Sequence, residues 1–203
     1  MNRRNFLSTL ALASIATGSL ALAFPAQAAD SEGAKRFIQQ LGDQALKQLT
    51  DLSVPEAQRR DRFRKMFNTN FNVPQIGQLV LGRYWNAASD AEKQEYLKLF
   101  EQLMVAHYTT VFGKYTGEQF RIADARADGD DVLVQTEVAK PNSPANKINW
   151  RVAGSGRGQK IIDIVVEGVS LISTQRSDYS SVIQRGGGKV EALLVAMRAK
   201  AKV

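Results

Sequence analysis

Ile161-Ile162-Asp163-Ile164-Val165-Val166-Glu167-Gly168-Val169-Ser170-Leu171-Ile172 is the stretch on which the fold turns. Over 161–166 apolar side chains fall on both alternating sets of positions, and a single carboxylate, Asp163, interrupts one of them. A strand that is apolar on both faces has to be covered on both faces. Gly168 and Ser170 then read as the exit of the strand and the cap of a following helix.

Outward from that strand, the upstream segment has the period of β structure. Phe120 and Ile122 begin a strand, and Asp128-Gly129-Asp130-Asp131 supplies a tight turn. Val132, Val134, Thr136 and Val138 alternate with Leu133, Gln135, Glu137 and Ala139, as in a half-buried strand. Pro141-Asn142-Ser143-Pro144 breaks the pattern. Ile148, Trp150 and Val152 resume it, and Gly154 to Gly158 turns the chain into Ile161 to Val166. Four strands joined by short turns predict an antiparallel sheet.

Helices flank this sheet on both sides in sequence. Phe37, Leu41, Ala45, Leu46 and Leu49 recur at helical spacing. Ser53-Val54-Pro55-Glu56 has the form of a capping box with proline in the first turn. The helix it would open carries Arg59, Arg60, Arg62, Arg64 and Lys65 beside Phe63, Met66 and Phe67. Asn72 begins a further helix with Val73, Ile76, Leu79 and Val80, and Gly82 stops it. Ser89-Asp90-Ala91-Glu92 is a second box. It opens the longest helix, whose stripe includes Phe100, Met104, Tyr108 and Phe112. Two helices close the chain, roughly 173–184 and 189–199, separated by Gly186-Gly187-Gly188. Helices, then sheet, then helices is an α+β arrangement.

The amino terminus carries an address. Arg3 and Arg4 precede an apolar run from Leu7 to Phe24, and Ala26-Gln27-Ala28 follows Pro25. This is the pattern of an export signal over residues 1–28, leaving one domain over 29–203. Asn2-Arg3-Arg4-Asn5-Phe6-Leu7 also has the form of a twin-arginine signal. Losing Arg3 and Arg4 lowers the formal charge of +7 by two, so the remaining chain is still basic. In an exported protein such charge meets anionic lipid surfaces before nucleic acid. The chain has no cysteine, which excludes disulfides and thiolate metal sites.

Catalytic chemistry finds little footing. His107 is the only histidine, and no ligands are spaced around it for a metal. No serine lies in a Gly-x-Ser-x-Gly turn. Gly154-Ser155-Gly156-Arg157-Gly158 leads into a strand rather than a helix, so it reads as a hairpin and not a phosphate loop. Gly186-Gly187-Gly188-Lys189 does precede a helix, where free N–H groups hold phosphates in other proteins, but a helix stop followed by a new helix is the preferred reading. Asp128 to Asp131 lacks calcium-loop spacing. The expectation is no metal and no cofactor.

What remains is apolar surface. From the helices, Val73, Ile76, Val80, Trp85, Phe100, Met104 and Phe112 face an interior, and from the sheet Val134, Thr136, Trp150, Ile164 and Val166 face it. Periodicity alone leaves open whether that interior is a filled core or a slot.

Several separated blocks resemble the MlaC family, the periplasmic phospholipid-binding proteins also called toluene-tolerance or ABC-transporter auxiliary proteins. They are Phe63 to Phe71, Val80-Leu81-Gly82-Arg83-Tyr84-Trp85, the capped helix ending near Tyr108 to Tyr115, Asp163 to Leu171, Arg176-Ser177-Asp178-Tyr179, Gly186 and Leu193-Leu194. Two positions depart from the family pattern: Asn72 replaces a common aspartate, and Gln159 a frequent tryptophan. The resemblance implies helices packed on a curved four-stranded antiparallel sheet, an NTF2-like cone enclosing an apolar pocket. It further implies a monomeric periplasmic phospholipid carrier and no enzyme. Its partners would be an inner-membrane ABC transporter complex and an outer-membrane lipoprotein–porin complex. Arg59, Arg60, Arg62, Arg64 and Arg83 are candidates for head-group contact or docking. A carrier of another lipid, such as a hopanoid, stays open. So do an enzyme using Asp163 beside a tyrosine and a ligand-free interaction module.

Overall fold

Local capping chemistry sets most helix boundaries in the computed structural model, which describes residues 30–115, 117–140 and 143–202. The expected export signal and the Pro141-Asn142 part of the strand break lie outside the described residues. Helix α1 (Ser31–Leu49) starts where the Asp30 carboxylate accepts the Gly33 N–H at 2.7 Å. Helix α2 (Glu56–Asn70) does not use the box expected at Ser53. Pro55 occupies the cap position, which leaves Ser53 two residues too early. Its N–H and hydroxyl donate to Asp51 instead, at 2.9 and 2.6 Å.

Asn72 caps α3 (Val73–Leu81), and Gly82 ends it with a φ of 58°, a left-handed value that glycine adopts without a Cβ penalty. A 3-10 turn (Gly82–Trp85) leads to α4 (Asp90–Phe112). Here the expected box is complete. Ser89 accepts from the Glu92 N–H, and the Glu92 carboxylate accepts from the Ser89 N–H.

Strands β1 (Gln119–Asp128), β2 (Asp131–Ala139), β3 (Asn146–Ala153), β4 (Lys160–Val166) and β5 (Val169–Ser170) follow, paired in sequence order as an antiparallel meander. The fifth strand corrects the expectation of four. Glu167 and Gly168 both have positive φ, 48° and 82°, and reverse the chain in two residues so that Val166 faces Val169. Helices α5 (Leu171–Arg185) and α6 (Val190–Ala201) complete the fold.

The register explains the doubly apolar strand. Trp150 pairs with Ile164 and Arg151 with Asp163, but Val152 pairs with Ile161, so Ile162 is an extra residue in a bulge. The bulge lets Ile161 and Ile162 both be buried in succession. Helix α1 lies over β1 and β2, while α3 and α5 pack against β4; α4 packs on α2, α3 and α6. A Cβ at Gly42 of α1 would lie 2.5 Å from the Phe120 ring, so this glycine permits the close approach of helix and sheet. The outer edge of β4 is tied to the α2–α3 junction. The Asn72 N–H donates to the Ile161 carbonyl at 3.0 Å, and the Lys160 ammonium donates to the Thr69 carbonyl.

Candidate functional site

The helices and the inner face of the sheet meet along an apolar seam. Within it lies a cavity of about 60 Å³. Phe67 and Phe71 line it from the end of α2, Ile76 from α3, and Phe100, Met104 and Tyr108 from α4. The sheet supplies Ile161, Asp163 and Ile164, and the start of α5 supplies Leu171 and Ile172. Phe71, Met104, Tyr108, Phe112, Ile122, Trp150 and Ile164 are partly buried hydrophobics packed on the buried core, so the seam reaches the surface with hydrocarbon.

Aromatic residues make up much of the helical wall. Phe63 and Phe67 stack at 5.9 Å, Phe67 and Phe71 approach to 4.9 Å, and Phe63 also meets Tyr108 and Phe112 at 6.1 and 5.9 Å. Phe63 and Phe67 stand four apart on one line of α2, and Phe71, the extended residue that caps the helix, continues the row. Desolvation pushes the Tyr108 phenol above its ordinary pKa, keeping it neutral.

Of the residues singled out from sequence, Ile76, Phe100, Met104 and Ile164 line the cavity. Val134, Thr136, Trp150 and Val166 share the inner sheet face in register with Ile164. Phe112 belongs to the aromatic wall. Val73 and Val80 are buried in α3. Trp85 is elsewhere: the Lys93 ammonium sits 5.7 Å over its ring, near the start of α4 and roughly 16 Å of helix from Met104. Phe67, Phe71, Tyr108, Leu171 and Ile172 were not among the pocket candidates, although the four-residue spacing of the phenylalanines was a usable signal.

The arginines separate. Arg59 is buried, corrected from its place in an exposed basic run: Nη1 donates to the Val54 carbonyl at 2.7 Å, and Nε has no partner. Its guanidinium lies beside Gly113 at the end of α4, where a cation suits the helix dipole. Arg60 pairs with Glu56, and Arg64 with Asp61 and Glu101. Arg62 donates to the Gln48 carbonyl at 3.4 Å. Arg83 donates to the Tyr84 hydroxyl at 2.9 Å and lies over that ring.

Asp163 reaches the cavity but is engaged. Oδ1 accepts the Ile164 N–H at 2.7 Å and the Ile172 N–H at 3.4 Å, and Oδ2 accepts the Ser170 hydroxyl at 2.7 Å. It therefore anchors the start of α5: Tyr108 lines the same cavity, but both oxygens of this carboxylate are already hydrogen-bonded. The glycine run before α6 is spent likewise: the N–H groups of Gly186, Gly187 and Gly188 donate to carbonyls at the end of α5. His107 is exposed, edge-on to Tyr108 at 4.9 Å. Among the described residues no cluster of ionisable side chains is arranged to hold a metal, and no helix is long and apolar enough to cross a membrane.

Fold and seam together define an α+β domain organised around a hydrocarbon-lined interior. The family model described as MlaC protein matches residues 36–199, and the chain belongs to the MlaC family. It is 22% identical over 135 residues to the intermembrane phospholipid transport system binding protein MlaC of Haemophilus influenzae. That match covers 64% of this chain and 62% of the relative's length. The fold is that of a phospholipid-binding protein from Ralstonia solanacearum, solved in complex with a phospholipid. The two superpose with a TM-score of 0.71 at 20% identity, over 83% of this chain and 97% of the other.

Proposed function

We propose that this chain is a periplasmic phospholipid carrier, the diffusible component of an Mla-type system moving lipid between the inner and outer membranes. The observation that carries the reading is the hydrocarbon seam between α4 and the sheet, with its cavity of about 60 Å³ lined almost wholly by apolar side chains. Each buried methylene contributes about 0.8 kcal/mol, so two ordinary acyl chains exposed to water cost on the order of 20 kcal/mol. A seam that takes the chains and leaves the head group in water offsets that cost. Selectivity then comes from chain burial, and the head group matters little.

On this reading residues 1–28 are an export signal and 29–203 one lipid-binding domain. The aromatic wall, Met104, Ile164 and Trp150 contact the chains. Arg60, Arg62, Arg64 and Arg83 remain candidates for docking or for the head group, while Arg59 serves the fold. The partners are an inner-membrane ABC transporter complex, which supplies the energy, and an outer-membrane lipoprotein–porin complex. The relatives' names support this reading, as does the engagement of Asp163, which withdraws the acid that the enzyme alternative requires.

Native mass spectrometry with lipid extraction, on mature protein purified from its own periplasm, tests it. Equimolar phospholipid supports the carrier. Hopanoid in its place keeps a carrier and changes the cargo. Protein that is empty and stays empty after incubation with phospholipid vesicles refutes the reading.

A further inference from the structure

We infer that Thr136 is a positioning residue, holding the indole of Trp150 so that the sheet-side wall of the seam offers acyl chains carbon and no hydrogen-bond donor. The inference rests on the carrier reading and deepens it.

Strand β2 sends Val132, Val134, Thr136 and Val138 to the inner face, and all four are buried. Valine and threonine have nearly the same shape, so the row holds one hydroxyl where another methyl would fit. A buried hydroxyl is costly unless it is bonded. This one is bonded twice: it accepts the Trp150 indole N–H at 2.9 Å and lies 3.3 Å from the Ile148 carbonyl, to which it donates. Thr136 faces Ile148 across the strands and Val134 faces Trp150, so the three groups form a short chain running back into β3.

The consequence concerns which atoms meet the lipid. A tryptophan at the mouth of an apolar site ordinarily turns its N–H toward water or a polar ligand. Trp150 is half-buried, yet its N–H points to an oxygen with no solvent exposure. Nitrogen is the ring's only polar atom, so the uncovered part of the indole is hydrocarbon. Neighbouring Ile164 is apolar as well and lines the cavity. Such a wall neither catches an ester or phosphate oxygen nor favours one head group over another.

The chain has two tryptophans, Trp85 and Trp150, so a W85F background leaves Trp150 as the only indole reporter. In that background T136V is compared with T136S, by indole emission and quenching and by release of phosphatidylethanolamine to acceptor vesicles. T136V is expected to shift emission to longer wavelength, raise quenching, and speed release about five- to ten-fold, the worth of one neutral hydrogen bond. T136S keeps the hydroxyl and restores all three. With W150F no N–H needs an acceptor, and adding T136V then changes release by less than about two-fold.

Unchanged emission in T136V overturns the positioning role. So does unchanged release despite a shift, or a T136S that behaves like T136V. Failure of the W85F parent and of the wild type to take up vesicle lipid overturns the carrier reading and with it the role of the wall, while the emission comparison still reports on the Thr136–Trp150 bond.

Discussion

Replacing Asp163 with alanine removes the acceptor of three hydrogen bonds, one from the adjacent Ile164 N–H within β4 and two, from the Ser170 hydroxyl and the Ile172 N–H, that join β4 to the start of α5. Ile172 is the second residue of α5, so its N–H is among those with no partner inside the helix. Ser170 serves the next, accepting from the Ser173 N–H at 3.1 Å while its own hydroxyl donates to Asp163 at 2.7 Å. A hydrogen bond to a charged group contributes about 1.5–3 kcal/mol and a helix cap about 1 kcal/mol. These contributions overlap, because Ser170 belongs to both. D163A is therefore expected to cost about 2–4 kcal/mol, a loss of roughly 5–15 °C in Tm for a domain of this size.

D163N keeps the shape and one acceptor oxygen but removes the charge, and should cost about half as much. S170A should cost about 1–2 kcal/mol. Since the two residues share a bond, the double variant should cost less than the sum by at least about 0.5 kcal/mol. Urea unfolding followed by far-ultraviolet circular dichroism measures all four values. A D163A protein within about 0.5 kcal/mol of wild type would refute the anchoring role, and a stable D163A that loses a measurable chemical activity would return the residue to catalysis.

Three further outcomes follow from the same geometry. Y96F should lose about 1–3 kcal/mol in urea, because the fully buried Tyr96 hydroxyl donates to the Gly77 carbonyl at 2.9 Å and nothing replaces it. Q159M should gain about 1 kcal/mol in the same assay, since the buried Gln159 amide has an Nε2 with no partner. Hydrogen bonds from Arg198 hold Glu95 below its ordinary value of 4.5, so the α4–α6 contact is fully stabilising above that pH and weakens as pH falls through the lowered value. R198M should be less stable than wild type at neutral pH and should show a shallower loss between neutral pH and strong acid, read from Tm against pH.

Much of the fold was legible because its signals are local. Ser89 with Glu92, Asn72 before α3, and Ser170 before α5 all act within three residues of themselves, and the structure uses each. Ser53 had the same letters in the same order and failed, because Pro55 took the cap position. The fifth strand was hidden by Glu167, a residue that seldom adopts positive φ; its carboxylate accepts the Lys147 N–H at 2.6 Å, a cross-strand contact that helps hold the turn. Arg59 was misplaced by composition, not by spacing: it stands four and seven residues before Phe63 and Met66, on the face that α2 buries, and only its place in a run of arginines made it read as exposed. In the candidate site, periodicity gave the direction of Met104, Ile164 and Trp150 but not the distance between the walls that carry them.

That distance is what a carrier must change. An apolar cavity of roughly 150 Å³ accepts one benzene molecule. The cavity beside Met104 and Ile164 is about 60 Å³, too small for an acyl chain, so on the carrier reading uptake has to part the seam. The two sides differ in what holds them. On the β4 side, main-chain groups are committed: Asn72 to Ile161 across the edge, and Ile172 to the Asp163 carboxylate. On the α4 side, Met104, Tyr108 and Phe112 are partly buried side chains, and methionine in particular repacks easily. Separating apolar side chains exposes surface that the incoming chain covers again at about 0.8 kcal/mol per methylene, whereas breaking a main-chain tie leaves polar groups that hydrocarbon cannot satisfy. On the carrier reading the wall expected to yield is therefore α4, with the sheet and its bound Trp150 as the surface against which it would open.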